Sequence, residues 1–450
     1  MIVAPVRSPA LTEGVRLDAG YFAAPAVRIR TMLAKATGVQ LRRIDEVGTV
    51  RAPSRFKRTY AVPGEQFVSY LRPYDVFEYL PPEADRLSAT RTENLDSYLI
   101  RDGDLLQTCS GRNLGPLTIA DAYLSGFALS HDMVRITIED QVDRFYAMAF
   151  LQSTTGQHLL RGDLSGSVID HITSDQVGAI QIPFIDSIYA DVSDLMCQAT
   201  ALREQARIAL HSAVEAINSH FTRPESPPGR DGWTVKAANL GSRLDVAFHS
   251  AHTAAVRQVV RDSGGVALGD VATITKPGGR YKTYYVAAGH GTPLLSGRQI
   301  LQLNVIGAKN ISERSVAPDA GYELRDGSIC FQADGRAEES LGYPSVVTRE
   351  RDGWFASGHV GRAVPHDPDD AGWIWAALAS DVAQEQVAAL ACGSVVDALY
   401  PEDLAGITIP PRDLVDSRAV KAAWDRFAEA AEYAALASDI VEDTVRGLGV

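Results

Sequence analysis

Two short stretches of the chain concentrate positive charge. RAPSRFKRTY, from Arg51 to Tyr60, carries Arg51, Arg55, Lys57 and Arg58 with no acid among them, and KPGGRYK carries Lys276, Arg280 and Lys282, again with none. Each places an aromatic ring between two cations, Phe56 in the first and Tyr281 in the second. A Gly-Arg pair also recurs between the two halves of the chain, at Gly111-Arg112 and Gly335-Arg336. Side chains of these types hold phosphate oxygens by charge-assisted hydrogen bonds. The charge is local: the chain has 43 Lys and Arg against 56 Asp and Glu, a formal net charge of −13. That balance excludes a protein that simply coats nucleic acid with a basic surface. The stretch from Pro401 to Val450 alone holds ten acids and five bases.

Residues that make or break bonds do not assemble into a pattern. There is no Walker loop and no G-x-G-x-x-G to cradle a phosphate, and no G-x-S-x-G elbow. The Asp-Pro-Pro-Tyr or Asn-Pro-Pro-Phe tetrapeptide with which amino-methyltransferases hold an exocyclic amine is absent too. The ten histidines are scattered, and the close pair His249 and His252 lacks a third ligand at recognisable spacing, so no metal is expected. Cys109, Cys197, Cys330 and Cys392 show neither metal-ligand nor redox spacing and read as buried, reduced thiols. No run of eighteen apolar residues occurs, and MIVAPVRSPALTEG lacks the order of a signal peptide. The expectation is a soluble, cytoplasmic chain with no membrane partner and no cofactor of its own.

The elements that must position the basic loops are written twice. GSVID (166–170) returns as GSVVD (393–397), displaced by 227 residues (394 − 167 = 227). RLDAGYF (16–22) returns at the same displacement as RLDVAFH (243–249), and Leu41 and Ile44 correspond to Leu268 and Val271. RFKRTY answers to RYKTYY, YLIRDGDLL to YELRDGSIC, and VGAIQIP to LAGITIP. Each copy is long enough to bury its own core, so the reading is two copies of one domain. Short β-like runs alternate with helical stretches, for example 24–37 and 145–156 in the first copy and 251–262 and 373–388 in the second. This predicts an α+β fold with a sheet-rich core. Gly166 and Gly393 fit turns, Val168 and Val395 a buried element, and Ser167 with Asp170 a helix-capping pair. The repeated phrase is the mark of a duplicated scaffold.

After each closing Ile-Pro the period changes from two to a heptad. Ile188, Val192, Leu195, Ala199, Leu202, Ala206, Ala209 and Ala213 form one narrow apolar seam, and Val420, Ala423, Phe427, Ala430, Ala434, Ala437 and Val441 form another. Two long helices with Ala-rich seams bury them best against each other. The linker TRPESPPGRDGW (222–233) ends the first. An antiparallel pair would set two pseudo-symmetric domains at opposite ends of a rod; a helix of about 35 residues is roughly 50 Å long.

In the order of these parts, each copy with its GD or GS turn, its GS-x-(Ile/Val)-Asp element, its closing Ile-x-Ile-Pro and its heptad helix, almost the whole chain resembles the specificity subunit of type I restriction-modification systems. The resemblance implies two tandem, pseudo-symmetric target-recognition domains separated by a long antiparallel two-helix coiled coil. Residues 1–184 would be the first domain, 185–221 the first spacer helix, 222–410 the linker and second domain, and 411–450 the second spacer helix. It implies a non-catalytic, sequence-specific reader of double-stranded DNA. Two such domains on a rigid rod reach segments about one helical turn, roughly 34 Å, apart. Because the scaffold repeats and the loops do not, the two half-sites should differ in sequence.

The partners implied are two methyltransferase subunits, which carry S-adenosylmethionine and methylate adenine, and ATP-dependent restriction or translocase subunits where restriction accompanies modification. The candidate DNA-binding residues are Arg51, Arg55, Lys57, Arg58, Arg72, Arg112 and Asn113 in the first domain. In the second they are Lys276, Arg280, Tyr281, Lys282, Arg298, Gln299 and Arg336, on the chemistry that Arg reads guanine, Asn or Gln adenine, and Lys phosphate. Two other readings are an adaptor of another phage-defence complex using the same rod, and a duplicated enzyme with an unrecognised site.

Overall fold

The computed structural model describes residues 24–82, 85–111, 113–162, 171–224, 233–240, 243–278, 282–287, 289–315, 321–336, 339–393 and 396–448. The chain is mixed helix and strand, α+β. It divides into two compact units: residues 1–204 with 429–450, and residues 205–428.

In the first unit, helix α1 (Pro25–Leu33) is followed by strands β1 (Gln40–Arg43), β2 (Thr49–Arg51), β3 (Phe67–Leu71), β4 (Arg86–Ser88), β5 (Leu105–Thr108), β6 (Leu117–Ile119), β7 (Ala128–Leu129) and β8 (Met133–Thr137). Helices α2 (Gln141–Gln152) and α3 (Thr154–Leu160) and strand β9 (Gln181–Phe184) follow, and then the long helix α4 (Asp186–His220), of which residues 186–204 belong to this unit. One sheet has the order β2-β8-β5-β6, all antiparallel, and a second has β4-β3-β7 with β3 and β7 parallel. β1 pairs antiparallel with β9, Gln40 facing Phe184.

The second unit runs through α5 (Ala251–Asp262), β10 (Val266–Ala267), β11 (Ala272–Thr275), β12 (Tyr285–Val286), β13 (Thr292–Leu295), β14 (Lys309–Ile311), β15 (Ile329–Gln332), β16 (Asp334–Gly335), β17 (Pro344–Val346), β18 (Phe355–Ala356) and β19 (Val360–Pro365). It continues with α6 (Ala371–Ala379), α7 (Asp381–Leu390), β20 (Asp397–Ala398), β21 (Thr408–Ile409) and the long helix α8 (Ser417–Gly447), of which residues 417–428 belong to this unit. Its sheets are β11-β19-β15-β17 and β12-β14-β13-β18, again with one parallel pair, β13 with β18. Strand for strand, β2, β8, β5 and β6 have become β11, β19, β15 and β17.

The repeat extends to individual hydrogen bonds, which explains which letters of the sequence recur. Tyr146 Oη donates to the Pro183 carbonyl at 2.8 Å, and at the same displacement Trp373 Nε1 donates to that of Pro410 at 2.9 Å. A ring with one polar handle closes each copy onto its final Ile-Pro. Gln157 and Gln384 each donate to the glycine carbonyl of the facing loop, Gly115 and Gly342. In the two Arg-Asp-Gly turns, Gly103 and Gly327 stand at φ 83° and 78°, a left-handed conformation that a side chain would strain.

Two sequence expectations are corrected. The helical stretches 145–156 and 373–388 are each two helices, broken at Ser153 and Ser380, whose backbones are extended. Ser153 ends one helix by donating to the Phe150 carbonyl and starts the next by accepting from Gly156 N at 3.1 Å. An apolar run hides such a break because the capping residue is a single letter. The stretch 24–37 is helical only over Pro25–Leu33.

The buried stripe of α4 also differs from the apolar seam. Val192, Ala199 and Ala206 are buried as expected, but the alternate positions are Met196, Arg203 and Leu210, one residue later than Leu195, Leu202 and Ala209. Arg203 and Arg207 are 3% and 1% exposed. A search for apolar letters passes over an arginine that occupies a core position. In α8 all seven seam residues are buried, joined by Trp424 and Val445. Within the first unit Val192, Met196 and Ala199 share one core with Ala430, Ala434, Ala437, Val441 and Val445. Glu442 adds a polar contact, its carboxylate accepting from Thr155 N at 2.7 Å at the start of α3. Within the second unit Trp424 packs edge-on against Trp375, and Asn218 Oδ1 accepts from Asp381 N at 2.9 Å at the start of α7.

RLDAGYF and GSVID lie outside the described residues, as do Ser394 and Val395 of the second GSVVD. The counterpart phrase RLDVAFH is a clamp: Arg243 pairs with Asp245 and Asp403 at 2.8 Å each, and its carbonyl bonds His249 Nε2.

Candidate nucleic-acid interface

The first basic loop leaves the end of β2 and returns at Tyr60, which bridges to Leu87. Its shape is dictated by one ring. Phe56 stacks on Tyr98 with centroids 3.9 Å apart and meets Tyr70 edge-on at 6.2 Å. Turning Phe56 inward turns its neighbours outward, and Arg51, Arg55, Lys57 and Arg58 are all exposed. Arg58 lies over the Tyr70 ring at 5.3 Å, a cation–π contact that leaves its N–H groups accessible.

The loop is tethered from beneath in the same way in both units. Tyr98 Oη donates to the Ser54 carbonyl at 3.4 Å, and Tyr322 Oη donates to the Gly278 carbonyl at 3.1 Å. The tyrosines are held in turn by a buried strand arginine: Arg135 on β8 donates to the carbonyls of Tyr98 and, at 2.6 Å, Leu99, and Arg362 on β19 donates to that of Tyr322 at 2.8 Å. Burial pushes the Arg135 pKa down, against the field of Asp104. Neither the tyrosines of YLIRDGD and YELRDGS nor these arginines were singled out from sequence. The available signal was a charged residue inside an apolar strand at the same place in both copies.

The other candidates divide by what already holds them. Arg72 is paired with Asp85 through Nη2 at 2.8 Å and Nε at 3.0 Å, a contact that raises its pKa further. Gln299 uses its whole amide on backbone, accepting from Ser296 N at 2.9 Å and donating to the Ile306 carbonyl at 2.8 Å. These two bonds fix the orientation of the amide. Lys276 is bound to Asp334 at 2.7 Å and is 20% exposed. Lys282 is exposed with its Nζ 4.9 Å over the Tyr284 ring. Asn113, Arg298 and Arg336 are exposed on turns, and the Asn113 carbonyl accepts from Thr108 Oγ1 at 3.1 Å. Arg112, Arg280 and Tyr281 lie outside the described residues.

Each unit brings several of these turns together. In the first, a Cβ on Gly111 would lie 3.7 Å from Tyr74 Oη, so the Gly111–Asn113 turn adjoins the segment that carries Arg72. In the second, a Cβ on Gly297 would lie 2.8 Å from Gln332 Cγ, and Gln332 Nε2 donates to the Asp334 carbonyl at 2.9 Å. The Arg298 turn therefore adjoins the Asp334–Arg336 turn and, through Asp334, Lys276.

A second cationic and aromatic element was missed. On β4, Arg86 lies 4.3 Å over the Phe67 ring of β3, and on β14, Lys309 lies 4.8 Å over the Tyr285 ring of β12. Tyr60, Phe67, Tyr284 and Tyr285 are between 43% and 58% exposed. Glu65 anchors this edge: Arg91 donates to it at 2.6 Å, with Ser88 and Thr90 adding hydrogen bonds, and together they hold its carboxyl well below the usual range.

Among the described residues no cluster of His, Cys, Asp or Glu could hold a metal ion, and His252 pairs with Glu385 at 3.0 Å. The four cysteines are free thiols. Cys109 and Cys330 are buried, which pushes each pKa up to about 11, while Cys197 and Cys392 are half-buried rather than buried. Among the described residues no helix is long and apolar enough to cross a membrane.

No family model matches the chain, and no curated protein matches it. Among solved structures it is similar to the S subunit of a type I restriction-modification system from M. genitalium, at 13% identity over 92% of this chain and 96% of that one, with a TM-score of 0.31. It is also similar to the HsdS subunit from Thermoanaerobacter tengcongensis, at 17% identity over 92% and 98%, TM-score 0.27. A third similar chain comes from a structure concerned with complex assembly and conformational transition of the type I R-M system, at 16% identity over 92% and 95%, TM-score 0.27.

Proposed function

We propose that this chain is a non-catalytic, sequence-specific DNA-recognition subunit of a type I restriction-modification complex. Each unit offers its tethered basic loop and the adjoining turns to one segment of double-stranded DNA, and the pair reads a bipartite, asymmetric site. The observation that carries this reading is the loop tether built twice, Tyr98 to Ser54 and Tyr322 to Gly278, beneath loops whose cations differ in number and spacing. A conserved support under a varied cationic loop is what two readers of different half-sites need, because backbone contacts position a reader and base contacts specify its sequence.

In this proposal the exposed Arg51, Arg55, Lys57 and Arg58, with Lys282, Asn113, Arg298 and Arg336, face the duplex. Arg72 and Gln299 hold the framework through the partners they already have. The helices α4 and α8, 35 and 31 residues long, form an antiparallel two-helix coiled coil between two pseudo-symmetric domains. That rod sets the spacing of the half-sites and receives two methyltransferase subunits. Adenine methylation with S-adenosylmethionine, and ATP-dependent restriction where it accompanies modification, belong to those partners, and the complex acts in the cytoplasm.

Single-molecule methylome sequencing tests this directly, comparing a host that expresses the chain with its neighbouring methyltransferase and a strain lacking this gene. A split, asymmetric methylated motif that disappears in the deletion is expected, and exchanging residues 1–184 for those of a related chain should change one half-site alone. An unchanged methylome, with no sequence preference of the purified complex on duplex DNA, would overturn the proposal.

A further inference from the structure

The two basic loops are not electrically alike, and one residue accounts for much of the difference. At the displacement that superposes β5 on β15 (329 − 105 = 224), Asp334 stands where the first unit has Ser110, and Lys276 stands where it has Ala52. Ser110 brings a hydroxyl and no carboxylate to this place, its Oγ hydrogen-bonded to His171 Nδ1 at 2.9 Å. Asp334 instead grips two side chains, accepting from the Lys276 ammonium Nζ at 2.7 Å on one oxygen and from His359 Nδ1 at 2.8 Å on the other. Its own position is fixed by β16, where Asp334 pairs with Ala398, and by Gln332 Nε2 on its carbonyl. Lys276 and Asp334 are each about one-fifth exposed. The contact is therefore neither a fully solvated surface pair of little worth nor a buried one. Burial by itself would raise the Asp334 carboxyl, yet the bonds from Lys276 and His359 outweigh it and hold the group ionised below its ordinary value.

Resting on the DNA-recognition reading, we infer that Asp334 is a specificity-determining residue of the second unit, withholding Lys276 from phosphate and setting a negative charge against any backbone that approaches the loop. Discrimination between partners is a difference of affinities, and a carboxylate beside a phosphate path weakens sequence-independent binding more than it weakens a site already fixed by base contacts. The first unit has no such clamp: its four loop cations make no ion pair among the described residues.

The test uses the full chain at pH 7.5 and a duplex of arbitrary sequence, with affinity measured from low to moderate salt. Asp334→Ser, which installs the first unit's residue, should tighten binding about tenfold at the lowest salt and steepen the slope of log affinity against log salt by about 0.9, the value of one added phosphate contact. Asp334→Asn, of unchanged size, should do the same and carries the test if Asp334→Ser does not fold. Lys276→Ala in the parent chain should leave the slope unchanged, because that ammonium is already occupied, but should abolish the gain when combined with Asp334→Ser. Slopes identical in parent and Asp334 variants, or a slope that falls by about 0.9 in Lys276→Ala alone, would overturn the inference and leave the DNA reading standing. The same series is run on the chain assembled with its methyltransferase, and a parent that binds no duplex at any salt in either form would remove the DNA reading itself.

Discussion

Phe56 is the one ring that turns the first basic loop inside out, so Phe56→Ala should separate the positioning of its cations from their number. The side chain contributes a stacked contact with Tyr98 and an edge contact with Tyr70. Aromatic pairs of this kind are worth about 0.5–1.5 kcal/mol each beyond area burial, so about 1–3 kcal/mol of loop anchoring is lost. If the loop binds only when anchored, apparent affinity falls with the fraction still anchored. At about 1.4 kcal/mol per tenfold the expected loss is about tenfold, and at most about a hundredfold. No charge is removed, so the salt dependence of duplex binding should keep its slope while the whole line drops. Fluorescence anisotropy across a salt series reads both quantities at once. An affinity equal to the parent's would show that Phe56 does not organise the interface. A shallower slope would show that the loop cations leave the duplex altogether and that the rest of the unit, not the loop, holds DNA. Phe56→Tyr, which keeps the ring, should restore parental affinity.

The remaining expectations are simpler to state. Replacing Arg55, Lys57 and Arg58 together by Ala should reduce the salt slope by about 2.7, three contacts at about 0.9 each, whereas Arg72→Ala should leave it unchanged because Asp85 already occupies that guanidinium; equal effects of the two variants would refute the division. Gln107, in the middle of β5, is fully buried, and among the described residues neither amide atom has a hydrogen-bond partner. Gln107→Met, of similar shape and with no polar group to desolvate, should therefore stabilise the chain by about 1–3 kcal/mol in urea unfolding, and a loss of stability would mean that the amide has a partner after all. Cys109 and Cys330, whose thiols burial pushes up to about 11, should resist iodoacetamide at pH 8 in the folded chain, while Cys197 and Cys392 react first; mass spectrometry of alkylated peptides gives the order. The same shift makes stability fall as pH rises from 9 toward 11, since an unfolded thiol ionises before a buried one.

What could be read in the letters was whatever recurs. The repeat displacement marks equivalent strands in the letters alone, and the two sheets share one strand order because Leu105 to Thr108 and Ile329 to Gln332 answer the same packing problem. The seam of α8 was legible residue by residue because Ala and Val fill it. That of α4 was legible only at every second position, because Arg203 occupies a core site under a letter that ordinarily means surface. The site was legible as charge and illegible as commitment. Nothing in the letters distinguishes Arg55, which is exposed and unpaired, from Arg72, which is tied to Asp85 across thirteen residues, or Lys276, tied to Asp334 across fifty-eight. An ion pair between distant residues is a property of the fold, and a single sequence carries no trace of it.

The same reasoning shows why the tethers matter more than the cations they support. A loop of four like charges repels itself, and left free it would spread over many conformations, each phosphate contact then costing ordering entropy at the moment of binding. Phe56, the Tyr98 hydroxyl and the Arg135 guanidinium beneath it meet that cost during folding instead. Arg362 and Tyr322 repeat the arrangement under a loop of different sequence. Evolution of a new specificity can then proceed by exchanging exposed letters at fixed positions while the support stays as it is. At Ser110 and Asp334 the two units differ in the charge the position carries, while both positions pair with the equivalent later segment, at His171 and Ala398.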